Sequence, residues 1–174
     1  MANGLTYIRR TTTPEATKQL AATLAPYLRP GDVIMLSGDL GAGKTQFVQG
    51  VAAALGTRAQ VTSPTFNILL QYIDGRIPIN HFDLYRLDEP EQLEDVGYFE
   101  AVDGDDDGVT FVEWGEKFPN DLPCDYLEIT ITTATQGERR VRAHAFGVRA
   151  RQLLFVWAND SKSRLMKMSG GSIR

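Results

Sequence analysis

The stretch Gly38-Asp39-Leu40-Gly41-Ala42-Gly43-Lys44-Thr45 has the spacing G-x-x-x-x-G-K-[ST], and each fixed position answers to phosphate chemistry. Glycines let successive backbone N–H groups turn inward around an anion, where side chains would block the approach. A helix opening behind such a turn adds the positive end of its dipole. Lys44 has the reach and charge for the β- and γ-phosphates of a nucleotide, and the Thr45 hydroxyl is the expected ligand of Mg²⁺. The predicted phosphate cradle runs from Gly38 through Gln46. No N-K-x-D guanine-reading tetrapeptide occurs in the chain. Asp105-Asp106-Asp107-Gly108 precedes a strand-like run instead of ending one, so ATP is expected over GTP.

Such a loop needs a second carboxylate on the Mg²⁺ side, at the end of a neighbouring strand. Two acids qualify. Glu113 ends the apolar run Val109-Thr110-Phe111-Val112, and Asp83 follows Ile79-Asn80-His81-Phe82. Either is also an ordinary strand-end acid. Between the loop and these strands lies Thr62-Ser63-Pro64-Thr65-Phe66, whose hydroxyls are of the type that senses a γ-phosphate in switch segments. Trp114 follows Glu113 directly.

The elements that must position these residues are legible as a pattern. Tyr7 to Arg10 suits an edge strand. Thr13 suits an N-cap, with Pro14 at the first helical position, and Leu20, Leu24 and Leu28 carry the helix to about residue 28. Asp32 to Ser37 is a nearly continuous apolar run, as in a buried parallel strand, and Lys44 to Leu55 is an amphipathic helix. Strands are expected at 66–72 and 77–84 around an Asp74-Gly75 turn, at 109–112, and at 126–133 and 140–146. Glu89 to Glu94 reads as a short helix or turn, Gly104 to Gly108 as an acidic loop, and Val148 to Trp157 as a final helix. The predicted fold class is α/β: a three-layer P-loop NTPase-like domain, its mixed, mostly parallel sheet flanked by helices. One domain is expected over residues 1–158, with 159–174 a flexible basic tail.

Composition narrows the function. The chain has 174 residues, 43% of them hydrophobic, enough for one compact core. No run of about 18 apolar residues is available for a membrane span, and the first residues hold no secretory signal, so a cytoplasmic location without membrane contact is expected. One cysteine, Cys124, and two histidines, His81 and His144, argue against a disulfide framework or a Cys- or His-built metal site. The net charge of −4 is unevenly spread: residues 139–174 carry +8, whereas no base interrupts the twelve acids between Arg86 and Lys117. The basic end offers docking for a polyanion or an acidic partner.

The blocks GDLGAGKT, VTSPTFNILLQY, HFDLYRLDEPEQLEDVGY and VEWGEKFPNDLP resemble, in order and spacing, the bacterial TsaE (YjeE) family, over roughly residues 5–157. The resemblance implies a small ATPase required for N6-threonylcarbamoyladenosine (t6A) at position 37 of tRNAs reading ANN codons. It implies work with TsaB and TsaD, supporting TsaD turnover, and indirect or weak tRNA contact. Carried over, Lys44 and Thr45 are the loop lysine and metal-ligating threonine, and Glu113 is the Walker-B-type carboxylate and Mg²⁺ ligand. Asp83 is the acid needed for hydrolysis, Thr65 the switch-like threonine, and Trp114 the aromatic of the E-W pair. On the adenine side the family pattern falls on Thr13, Glu15, Gly137 and Arg139. Two rivals from other classes remain. A small-molecule kinase would use Arg139, Arg140, Arg142, Arg149 and Arg151 as a phosphate-clamping lid. A nucleotide-gated binding module would bind without turnover.

Overall fold

The computed structural model describes residues 5–103 and 106–169. Its centre is β2 (Val33–Ser37), whose alternate residues meet two separate cores. Ile34 and Leu36 pack toward Phe47, Val48 and Val51 of α2 (Lys44–Ala54) and Leu154 and Trp157 of α5 (Val148–Ser169). Val33 and Met35 face Phe82, Leu93 and Tyr98 on the other side. A strand buried on both faces has no polar side, which is why Val33 to Leu36 are all apolar.

Around β2 the sheet has seven strands in the order β1-β7-β6-β2-β5-β4-β3. The others are β1 (Thr6–Thr11), β3 (Leu69–Tyr72), β4 (Ile79–Asp83), β5 (Val109–Glu113), β6 (Tyr126–Thr133) and β7 (Arg139–Phe146). β2 runs parallel to β5 and β6, and β4 runs parallel to β5. β7 and β3 run against their neighbours, so five of the seven strands share one direction. The sheet is mixed, mostly parallel in direction, and layered between helices. Helices α1 (Pro14–Ala22), α2 and α5 cover one face; the short helices α3 (Gln92–Asp95) and α4 (Tyr98–Val102) cover the other.

Several boundaries differ from the sequence reading. Thr13 does cap α1, its hydroxyl accepting from Ala16 N at 3.0 Å, but the helix ends at Ala22 instead of near residue 28. Pro26 has no N–H to continue the ladder, and Ala25–Tyr27 forms a single 3₁₀ turn that still buries Leu24 and Leu28. The Asp74-Gly75 pair does not make a tight hairpin. The ladder closes at Tyr72 and Ile79, and the Asp74 carboxylate instead accepts from Arg58 N at 2.8 Å. β3 begins only at Leu69, because Ile68 sits in the left-handed region at φ 65°. Helix α4 has no counterpart in the sequence reading; Tyr98, Ala101 and Val102 are nevertheless buried. Finally, α5 continues to Ser169, where a loose tail was expected from Asn159. The run Lys162 to Met168 is composed largely of residues that favour helix. Gly104 and Asp105 of the expected acidic loop, and the last five residues, lie outside the described residues. No helix among the described residues is long and apolar enough to cross a membrane.

Candidate functional site

The carboxyl ends of β2, β5 and β4 lie side by side, the edge of an open α/β sheet where ligands bind. The chain leaves β2 at Gly38, whose φ is 146°. A Cβ there would lie 2.3 Å from the Ile131 carbonyl oxygen of β6, so only glycine permits the turn beside that strand. Gly43, at φ 113°, precedes α2, and no side chain caps that helix. The first amides of α2 are thus open to an anion. Lys44 is buried, and its ammonium donates back to the carbonyls of Gly38 and, at 3.4 Å, Asp39. It also lies 4.1 Å from the centre of the Trp114 ring. Trp114 holds φ 64°, a left-handed conformation rare for a bulky residue and of the kind that persists where surrounding structure fixes it.

The two candidate acids are not alternatives: the structure brings both to the same cavity. Parallel pairing places Asp83 opposite Glu113, and each is almost fully buried. Glu113 Oε1 accepts from the Thr45 hydroxyl at 3.2 Å and from His81 Nε2 at 2.8 Å. Asp83 Oδ2 accepts from the Thr65 hydroxyl at 2.8 Å, and Oδ1 from Tyr85 N at 3.0 Å. Ser63 in turn shares a hydrogen bond of 2.7 Å with Thr65. Ser63, Thr65, Asp83 and Glu113, with 40–46, Tyr85 and Trp114, line a cavity of about 530 Å³; His81 lies behind Glu113, outside the lining. The cavity volume falls within the range of small-molecule sites.

The residues expected on the adenine side are more scattered. Arg139 clasps the loop, donating from Nε to the Ala42 carbonyl at 2.9 Å and more weakly to Gly41 at 3.4 Å. Gly137 forms a positive-φ turn whose carbonyl accepts from Arg139, Thr13 caps α1, and Glu15 lies in that helix's first turn; none of the three lines the cavity. The arginine lid of the kinase rival does not assemble. Arg149 forms a two-pronged pair with Asp32, 2.8 Å at each contact, at the opposite end of the sheet, and Arg140 and Arg142 point outward from β7. His81 was not singled out as a site residue by sequence, and its contact with Glu113 adds it to the set. Burial pushes the Glu116 carboxyl up from its usual range, against the opposing pull of Lys44.

The family model described as threonylcarbamoyl adenosine biosynthesis protein TsaE matches residues 11–141. The chain belongs to the TsaE family. A protein of Bacillus subtilis named tRNA threonylcarbamoyladenosine biosynthesis protein TsaE is 43% identical over 144 residues, covering 83% of this chain and 89% of that protein. A Nostoc protein of the same name is 38% identical, covering 76% and 82%. The crystal structure of Bacillus subtilis YdiB superposes with a TM-score of 0.78 at 35% identity, covering 92% of this chain and 99% of YdiB. In this chain the fold gathers the loop, both acids and Thr65 around one cavity.

Proposed function

We propose that this TsaE family member, which serves tRNA threonylcarbamoyladenosine biosynthesis, is an Mg²⁺-dependent ATPase working with TsaD and TsaB proteins. The observation that carries the reading is the paired ends of β4 and β5: Glu113 joined to Thr45 under the loop, and Asp83 joined to Thr65 across the cavity. The donor set suits a hard divalent cation, since hydroxyl and carboxylate oxygens dominate. Among the described residues no group of three or more His, Cys, Asp or Glu side chains gathers to hold a metal. Thr45 and Glu113 therefore fit a cation that completes its shell with phosphate oxygens and water, as Mg²⁺ does. A Mg²⁺ ion held by Thr45 and Glu113 would supply charge neutralisation to the nucleotide's phosphates.

The chain's own residues do the rest. The amides of 39–46 hold the phosphate oxygens, and Lys44 turns from the loop carbonyls to the γ-phosphate side. Asp83, anchored by Tyr85 N, orients the attacking water through the Thr65 hydroxyl or directly, and takes up its proton as the water oxygen bonds to phosphorus and the bond to ADP breaks. Trp114 walls off the loop side of the cavity.

Lys44 is the only basic residue lining the cavity among the described residues. Arg86 is turned away, its guanidinium stacked 4.4 Å from the Phe66 ring. Slow turnover in isolation follows, with a partner completing the site. The exposed apolar residues flanking the mouth suit such docking: Leu40 is 91% exposed and Phe66 80%. The deciding experiment is reconstitution of t6A formation from TsaB, TsaD, threonylcarbamoyl-adenylate, tRNA and ATP, with and without this chain. A requirement for the chain that disappears in Lys44→Ala supports the reading; t6A turnover indifferent to the chain removes it.

A further inference from the structure

We infer that His81 is a positioning residue that aims the Glu113 carboxylate at the metal, an inference that rests on the reading of Thr45 and Glu113 above. His81 lies in the middle of β4 and is 0% exposed. It sits opposite Phe111 in β5, one pleat before Glu113, and shares its side of the sheet with Asp83 two residues on. Burying an imidazole away from water is costly unless its nitrogens are satisfied. Here only one is: Nε2 meets Glu113 Oε1 at 2.8 Å, whereas Nδ1, fully buried, has no hydrogen-bond partner among the described residues. A histidine kept only to tie two strands together would be expected to use both nitrogens.

The direction of the contact follows from the partner: a carboxylate oxygen accepts, so His81 donates from Nε2. Glu113 Oε1 then receives two donors, from His81 and Thr45, while no hydrogen bond among the described residues goes to Oε2. One carboxylate oxygen is pinned and the other is left for the cation. The same arrangement uses the Thr45 proton on Glu113, which leaves the Thr45 oxygen lone pairs for the cation as well. Partners that fix a metal-binding side chain in this way contribute about 10- to 100-fold in metal affinity. A single strand thus sets both halves of the site: His81 fixes Glu113, and Asp83 holds Thr65.

The test is a binding measurement. Wild type, His81→Leu, His81→Asn, His81→Gln and Glu113→Gln are titrated with a fluorescent ATP analogue in EDTA and then with Mg²⁺ at fixed analogue. The inference predicts equal analogue affinity in EDTA for wild type and the His81 variants, because the loop and Lys44 are untouched. It predicts an about 10- to 100-fold higher Mg²⁺ requirement in the Leu and Asn variants. The Gln variant, whose amide N–H reaches close to the Nε2 position, should return toward wild type. If the Leu protein does not fold, the Asn and Gln pair carries the comparison. A wild-type Mg²⁺ requirement in the Leu or Asn variant, equal impairment in Gln, or lost affinity in EDTA overturns the inference. The Glu113→Gln protein separates the two levels. If its Mg²⁺ requirement is unchanged, the reading of Glu113 falls and takes this inference with it. If it shifts while Leu and Asn do not, only the role of His81 falls.

Discussion

Lys44 donates to two loop carbonyls and lies over the Trp114 ring, so its charge is held where phosphate oxygens would gather. Lys44→Ala removes a charge-assisted contact of about 1.5–3 kcal/mol, and nucleotide affinity is expected to fall about 10- to 100-fold by equilibrium titration. Asp83→Asn keeps the shape and the hydrogen bond to Thr65 but removes the base. The expected outcome is nucleotide affinity near wild type with turnover lowered about 10²- to 10⁴-fold, checked by measuring binding and phosphate release on the same protein. The loop was legible because its chemistry lies in eight consecutive residues. Glu113 and Asp83 were legible as strand ends, and the resemblance gave each its own role, but that they meet at one cavity depends on β4 lying beside β5. His81 was illegible for a related reason: a histidine inside an apolar strand reads as core, and its partner is 32 residues away. Thr13 and Gly137, expected on the adenine side, sit at a helix cap and a strand-connecting turn outside the cavity lining, and no local spacing relates them to the loop.

At the scale of elements, the contact between α1 and α2 is set by one glycine. A Cβ on Gly50 would lie 2.2 Å from the Lys18 carbonyl oxygen, so the two backbones touch where α2 has no side chain. Gly50→Ala should gain helix propensity yet lose more by forcing the helices apart, with a net loss of about 1–3 kcal/mol in denaturant unfolding. Because α2 begins at the phosphate loop, the same variant should weaken nucleotide binding although it lies away from the cavity. Periodicity found the central strands and α2 because two-sided burial and the helical repeat leave strong marks in sequence. It failed where tertiary contacts override local signals. Pro26 cuts α1 short while burial of Leu24 and Leu28 preserves the apolar spacing that suggested one helix. The two turns of α3 and α4 are too short for a repeat and exist because Leu93 and Tyr98 seal the second core.

Across the whole molecule the two cores differ in what they place at risk. Tyr98 in the second core is 1% exposed and donates to the Asp121 carbonyl at 3.1 Å. Burial, reinforced by the charges of Asp121 and Asp103, raises its phenol well above the ordinary value. A raised folded value means that the native state holds the proton more tightly than the unfolded chain. The associated stability is complete below about pH 10, the unfolded value, and is lost as pH rises beyond it. Tyr98→Phe should flatten that alkaline loss in thermal melts while costing about 1 kcal/mol at neutral pH from the missing hydrogen bond. The cavity lies at the opposite extreme, an open edge with buried acids, one lysine and an apolar border. A phosphoryl-transfer site lacking an arginine forgoes a factor of about 10³–10⁵ in rate, which a partner can restore by inserting one. Phosphate release by the purified chain is therefore expected to be slow and to rise by orders of magnitude when TsaB and TsaD are added. Phe66→Ser should weaken that rise through lost docking area, since Phe66 stands 80% exposed and outside the cavity lining. Rapid hydrolysis by the chain alone, or equal stimulation of wild type and Phe66→Ser, would show that the site is complete without a partner docked over this border.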